Sequence, residues 1–187
     1  PEIRHSDYAI SKYGAEMEVW RAWQEGLNVL VVNPGLIFGA GFPNAGSGKI
    51  FKAVKRGQFF YTNGNCGIIA VEDVVEATLK LMQADTNGER FTLTGENLSY
   101  KDILGIIAAG MGKKSPSIYA TPFMTSVAWK LDWLLSKITG QKRKLTRSMA
   151  KSSHNTDTYG NAKVIAATSI AFRSASSYLK SLGEHYR

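Results

Sequence analysis

The sequence is poor in cysteine, histidine and proline, with one, three and five of these residues among 187. A lone thiol, Cys66, excludes a disulfide-stapled domain and favours a reducing compartment, so we expect a cytoplasmic protein. The scattered histidines provide no cluster with metal-ligand spacing, and we expect no metal site. No apolar run approaches the ~20 residues that cross a bilayer, so the sequence predicts no membrane span.

Acidic residues are also scarce, since 15 Asp and Glu stand against 23 Lys and Arg, a net charge of +8. Much of the excess lies between Lys137 and Lys151, a stretch without an acid that follows a predicted helix carrying Trp129 and Trp133. Such a stretch could bind a membrane surface or a partner, but we favour a solvated edge with both Trp rings in the core. No known nucleic-acid motif is present, so we expect no nucleic acid.

Strand and helix patterns alternate along the first half of the chain. A helix is predicted over 8–24, and a buried parallel-type strand over 27–32, which we expect Pro34 to end because it lacks an N–H group. Further helices are predicted over 50–56, 72–82, 100–111, 122–139, 146–152, 162–168 and 175–185, and further strands over 59–62, 68–71, 89–94 and 117–119. The alternation predicts α/β layers up to Thr94, and the helical remainder predicts a second lobe.

Residues at helical spacing are predicted to share one face of their helix. On the first helix this pattern includes Tyr8, Lys12, Ala15, Val19 and Trp23. On the helix over 72–82 it consists of Val75, Leu79 and Met82.

Tyr8 and Lys12 are four residues apart, so they lie one turn apart on the same helix face. A phenol has a pKa of about 10 and exchanges protons poorly at neutral pH, whereas a nearby cation favours the phenolate. The pair is therefore a candidate general acid with its activator. The same spacing is common for a surface Tyr beside a solvated Lys, and alone it favours that second interpretation.

Four segments give the pair a context. They cover 8–39, 67–75, 91–100 and 159–163, and they include Tyr8-Ala9-Ile10-Ser11-Lys12 and the run from Asn33 to Gly39. In this order they resemble the extended short-chain dehydrogenase/reductase superfamily, and most closely its dihydroflavonol reductase-like, NAD-dependent epimerase/dehydratase group.

The resemblance implies an α/β fold with a remnant of a Rossmann-type parallel sheet, over 1–41 and 66–95. A mostly helical substrate-binding lobe would cover 42–65 and 96–187. It also implies NAD or NADP as cofactor and a small-molecule substrate with a carbonyl or hydroxyl group. Tyr8 would be the acid/base, and Lys12 would bind the nicotinamide ribose.

The resemblance implies further contacts for the cofactor and the substrate. The residues expected against the nicotinamide are Pro34, Gly35, Leu36 and Ile37. The aromatic residues expected around the substrate are Phe42, Phe59, Tyr61 and Phe123, for each of which ordinary core packing is an equal alternative.

One family feature is missing, because only seven residues precede Tyr8 and the family's Gly-rich phosphate-binding turn lies well before its Tyr. We therefore expect a C-terminal half that is inactive without the rest and binds NAD or NADP weakly. An open strand edge and the family's helical dimer bundle also predict a homo-oligomer. The alternative is a non-catalytic, basic interaction module that retains part of the fold.

Overall fold

The computed structural model describes residues 7–141, 143 and 145–187, so Lys142 and Lys144 of the predicted basic stretch lie outside it. The helices are α1 (Asp7–Gln24), α2 (Gly48–Lys55), α3 (Val71–Gln83), α4 (Tyr100–Gly110), α5 (Pro122–Thr139), α6 (Arg147–Ser152), α7 (Ala162–Thr168) and α8 (Ala175–His185). The strands are β1 (Leu30–Pro34), β2 (Leu36–Phe38), β3 (Phe60–Tyr61), β4 (Asn65–Ala70), β5 (Glu89–Leu93), β6 (Glu96–Ser99) and β7 (Ile118–Tyr119). The predicted α/β fold class is confirmed.

Strand β1 pairs in parallel with β5 and contains Pro34, which was expected to end it. Gly88 N donates to Val29 O at 2.8 Å, and Gly35 N donates to Leu93 O at 2.9 Å. Backbone groups alternate along a strand, so the odd-numbered residues of β1 face β5 and the nitrogen of Pro34 faces the other edge. The strand ends at Pro34, as expected. The missing N–H is not the reason, because Pro34 costs the ladder no hydrogen bond.

The other edge of β1 has no strand partner among the described residues. The strand is half-buried over 30–32 and exposed at Asn33 and Pro34. The strand is therefore less covered than expected, because α3 packs on one side and Glu16 of α1 reaches Asn33 on the other, but the free edge has no neighbouring strand.

At Gly35 the chain leaves one sheet and enters another. β2 pairs in parallel with β4, and β4 pairs antiparallel with β6. A side chain at Gly35 would clash with the carbonyl group of Gly67, so glycine allows the two backbones to approach here. The sequence analysis did not predict β2 and β6 as separate strands, because each spans only three or four residues.

Two apolar clusters form the core. One contains Phe38, Phe51, Ile103, Ile107 and Leu179, and lies around α4 and α8. The other contains Leu81, Phe91, Leu93, Val164 and Ile170, and lies between α3, α7 and β5. Both clusters combine residues from the two predicted domains, so the division at 42, 66 and 96 remains a proposal.

All eight predicted helices are present. Helix α3 buries Asp73, Ala77 and Leu81, whereas the predicted face, Val75, Leu79 and Met82, is exposed. On α1 the inward side chains are Glu16 and Trp20. None of the eighteen described residues of α5 is buried, and Trp133 is exposed, so the expected place for its ring in the core was wrong.

The segment before α8 is fastened to the start of α3. The backbone N–H of Arg173 donates to Asp73 Oδ2 at 2.9 Å, and its guanidinium also binds that buried carboxylate. Tyr178 donates to Glu72 Oε2 at 2.5 Å, and burial followed by this bond raises the pKa of Tyr178. These contacts hold α8 over β4 and fix the C-terminal helices against the sheet.

Candidate active site

Helix α1 brings Tyr8 to the carboxyl end of β1. Only residues 25–29 separate α1 from β1, and Gly26 makes the turn with φ at 101°. The helix therefore runs back along the strand. Near its midpoint, Glu16 Oε2 accepts a hydrogen bond of 3.3 Å from Nδ2 of Asn33, the next-to-last residue of β1. Tyr8 lies eight residues before Glu16, about 12 Å further along the helix axis.

Glu16 anchors α1 to both strands of the first sheet. Besides Asn33 on β1, Arg90 on β5 donates to Glu16 Oε1 at 3.1 Å, and Trp20 Nε1 donates to the same oxygen at 3.1 Å. Burial acts to raise the pKa of Glu16, but the hydrogen bonds from Trp20, Arg90 and Asn33 hold it below its ordinary value. The carboxylate therefore stays charged near neutral pH and holds the helix in place.

Tyr8 and Lys12 lie together at the N-terminal end of α1. The ammonium nitrogen of Lys12 is 5.9 Å from the centroid of the Tyr8 ring. The Tyr8 side chain is 72% exposed, so a ligand can reach its hydroxyl without displacing protein atoms. The predicted pair is thus together in space, with a cation beside an accessible phenol; its catalytic role stays a prediction.

The segment expected against a nicotinamide is divided between two strands. Pro34 is in β1, the N–H of Gly35 is bonded to Leu93, and Leu36 and Ile37 pair with β4. The carbonyl of Ile37 accepts a hydrogen bond from Ser47 Oγ at 2.6 Å. Among the described strands β2 lies at an edge of its sheet, and contact of this segment with a ligand stays a prediction.

The four candidate substrate aromatics are not gathered in one place. Phe42, Phe59 and Phe123 are 66–78% exposed, so the alternative of core packing is wrong for these three. Tyr61 differs, because it is half-buried and lines a cavity of about 360 Å³ between β3, α4 and α5. Tyr61 is therefore the one of the four that the described structure connects with a pocket.

The cavity beside Tyr61 is lined mainly by aromatic and apolar side chains, and the polar groups of Tyr100 and Lys101 lie beside it. The Lys101 ammonium is 5.1 Å from the Tyr61 ring centroid, and the Tyr119 ring is 5.9 Å from it. Leu104 contributes to the apolar lining. Burial, together with the neighbouring Cys66, raises the pKa of Tyr100 to about 12, so its phenol remains a hydrogen-bond donor at neutral pH.

A second cavity, of about 390 Å³, lies on another side of α5. It is lined by Trp129, Arg147, Lys151 and His154, and Thr125 Oγ1 lies 3.0 Å from His154 Nε2. The sequence analysis noted Trp129 and Lys151 but did not combine them with His154 into a site, because the lining comes from two segments, 122–129 and 147–155. It also missed Glu16, although that residue continues the spacing of Tyr8 and Lys12 by one more turn.

Comparison with known proteins finds a family profile that matches the N-terminal half of the chain. Residues 2–93 match the profile of the NAD dependent epimerase/dehydratase family. Over 115 residues the chain is 32% identical to a Synechocystis protein named "Putative dihydroflavonol 4-reductase", covering 58% of this chain and 34% of that protein.

Two solved structures share the fold. A nucleoside-diphosphate-sugar epimerase from Pseudomonas aeruginosa has a TM-score of 0.75 at 20% identity, covering 98% of this chain and 56% of that one. A UDP-glucuronic acid 4-epimerase from Bacillus cereus, in complex with UDP-glucuronic acid and NAD, has a TM-score of 0.66 at 12% identity, covering 97% and 52%. The chain thus spans about half the length of these structures and a third of the curated relative.

Proposed function

Because residues 2–93 match the profile of the NAD dependent epimerase/dehydratase family, we propose that this chain forms the Tyr–Lys and substrate-binding part of an NAD(P)-dependent oxidoreductase or epimerase. Its substrate is a small molecule with a carbonyl or hydroxyl group, of the nucleotide-sugar or dihydroflavonol kind that its relatives' names describe. Whether the cofactor is NAD or NADP stays open.

The observation that carries the proposal is the exposed pair of Tyr8 and Lys12 beyond the carboxyl end of β1. Ligands of open α/β sheets bind outside the carboxyl ends of parallel strands, which is where α1 presents both side chains. The hydrogen bonds from Asn33 and Arg90 to Glu16 fix the position of α1 relative to β1 and β5. A surface Tyr–Lys contact without function would need no such anchor.

The side chains fit one half of a dinucleotide. The Lys12 ammonium, 5.9 Å from the Tyr8 ring, is a donor that suits a ribose hydroxyl. For the pyrophosphate, a Gly-rich turn opening a helix is the usual cradle. Within the described residues the glycine-rich loop over 39–47 is no such cradle, because Gly48 packs tightly against its own loop at Phe42. We therefore assign the nicotinamide ribose, and not the pyrophosphate, to this chain.

Tyr8 acts on an oxygen of the substrate. Its phenol donates a proton when a carbonyl becomes a hydroxyl, and the phenolate accepts it in the reverse direction. The Lys12 ammonium donates to a ribose hydroxyl. A bound nicotinamide supplies the hydride chemistry. The cavity beside Tyr61 and Tyr100 holds a ring of the substrate, with the Tyr100 phenol as donor.

The test compares two tyrosines of the same helix in the full-length protein. Tyr8→Phe should lower kcat by about 100-fold or more, with cofactor affinity unchanged, because the phenol acts on a proton. Tyr13→Phe is the matched control, since Tyr13 is 66% exposed but lies on another side of α1. Lys12→Ala should weaken both turnover and cofactor binding.

Turnover is measured with UDP-glucuronic acid and with a dihydroflavonol, and binding of NAD and NADP by calorimetry. Near-normal kcat in Tyr8→Phe would contradict the assigned role of Tyr8. If the full-length protein binds neither dinucleotide, the alternative, a basic interaction module without chemistry, replaces the enzyme.

A further inference from the structure

Helix α5 turns its apolar side outward. Six large side chains on this side are between 39% and 78% exposed, and we call them the outer face of α5: Phe123, Val127, Leu131, Leu134, Leu135 and Ile138. Apart from the adjacent Leu134 and Leu135, they are spaced three or four residues apart and make one continuous stripe along about four turns. A stripe of this length without protein cover is unusual, since exposed apolar patches mark interaction sites.

Helix α5 contacts the rest of the protein through the side opposite the outer face. The half-buried residues on that side are Trp129 and polar residues, among them Thr125, Ser126 and Ser136. Trp129, Thr125 and Ser126 line the cavity beside α6. Asp132 is also on this side, where it accepts the N–H of Leu145 at 3.1 Å. The helix is therefore held by its polar side, and the stripe is left for something else to cover.

The charge around this helix is of one sign. Residues 103–156 contain nine Lys and Arg and a single acid, Asp132, so this stretch alone accounts for a net charge equal to that of the whole chain. Lys130 and Lys137 are seven residues apart and border the outer face along one side. The Lys137 ammonium is 4.4 Å from the ring centroid of the exposed Trp133.

We propose that the outer face of α5 binds the surface of an anionic lipid bilayer. An apolar stripe bordered by Lys side chains and a Trp ring is the composition of a helix that lies in the interface, with its apolar side among the acyl chains. The cations then meet lipid phosphates. No helix in the described part of the chain is long and apolar enough to cross a membrane, so the contact is peripheral.

Charge argues against a second copy of this face as the occupant. Two outer faces packed together would bring the Lys130 and Lys137 rows of both chains next to each other, and like charges at close range oppose association. An anionic lipid surface instead satisfies both the stripe and its cations.

Helix α3 provides a matched control. Its exposed residues Val75 and Leu79 also form an apolar stripe, but that stripe is bordered by Glu72 and Glu76. A stripe beside carboxylates should have no affinity for anionic lipid. The comparison therefore separates the proposed site from general stickiness of exposed apolar residues.

The experiment is sedimentation of the full-length protein with two kinds of vesicle, phosphatidylcholine alone and equal parts of phosphatidylcholine and phosphatidylglycerol. We expect binding to the anionic vesicles, weakened by added salt, and little to the neutral ones. Leu131→Ser/Leu135→Ser should weaken binding about tenfold or more, and Val75→Ser/Leu79→Ser should leave it unchanged. All substituted residues are exposed, and a thermal melt confirms that each variant folds.

A charge variant keeps the test decisive if the serine variant fails to fold. Lys130→Glu/Lys137→Glu should weaken anionic-vesicle binding about tenfold, whereas Lys180→Glu, an exposed site on α8, should have a smaller effect. Equal binding to both vesicle types, or equal losses in the α3 and α5 variants, would overturn the proposal. So would a change in molecular mass of Leu131→Ser/Leu135→Ser without vesicles, because that result assigns the face to a second copy.

Discussion

Glu16 shows what can and cannot be predicted at the scale of single residues. The pairing of Tyr8 with Lys12 follows from helical spacing alone, and the structure brings the two side chains together. The partners of Glu16, Asn33 and Arg90, lie 17 and 74 residues further along the chain. No local pattern connects them, because the contact exists only once β1 and β5 pair under the helix.

We predict that Glu16→Ala lowers the free energy of unfolding by about 1–2 kcal/mol, because three hydrogen bonds to a carboxylate are lost. The control Glu18→Ala should change it by less than about 0.5 kcal/mol, since Glu18 is exposed and pairs only with Arg21. Urea denaturation at several pH values measures both.

The pH dependence has a definite sign. The folded-state pKa of Glu16 is lowered, so its contribution to stability is present above the ordinary pKa of a glutamate and is lost as the pH falls through the lowered value. The difference between wild type and Glu16→Ala should therefore shrink below about pH 4. If the stability difference between wild type and Glu16→Ala instead grew as the pH falls, the proposed role of the charged Glu16 carboxylate would be contradicted.

At the scale of elements, the helices could be predicted, but their inward faces could not. Periodicity shows that apolar residues share a face, and it assumes that this face is buried. In α3 the assumption fails because small Ala77 and the bound carboxylate of Asp73 allow close packing, while Val75 and Leu79 stay outside. Short β2 was missed for a related reason, since three residues carry too little pattern.

The two leucines of α3 test this directly. Leu81→Ala should destabilise the fold by about 3 kcal/mol, because Leu81 is fully buried among Phe91 and Leu93 and leaves a cavity. Leu79→Ala should change stability by less than about 0.5 kcal/mol, since this side chain is 54% exposed. Both substitutions have the same helix propensity, so chemical denaturation compares burial alone. Similar losses in the two variants would mean that the face over Val75 and Leu79 is covered.

At the scale of the whole molecule, alternation of strands and helices was enough to predict the α/β class, whereas the division of the described strands among three sheets was not predicted. The passage of the chain from the sheet of β1 to the sheet of β2 requires Gly35 to lie against the backbone of Gly67. These two residues are 32 positions apart. Beside the free edge of β1, a cavity of about 530 Å³ between β1 and α3 is lined by Leu30, Val32 and Leu81. An apolar strand with an open edge is suited to pairing with further strands.

We therefore predict that residues 1–187, expressed alone, self-associate through the open edge of β1. The backbone groups of Leu30 and Val32 face away from β5, by the same alternation that places the Pro34 nitrogen there. Val32→Pro removes one donor from that edge and should reduce association, while Val31→Pro removes a bond to β5 and should instead lower the melting temperature. Light scattering over a range of concentrations gives the mass. A monomer of 20.5 kDa at every concentration, with a cooperative melt, would show that this edge is closed by the chain itself.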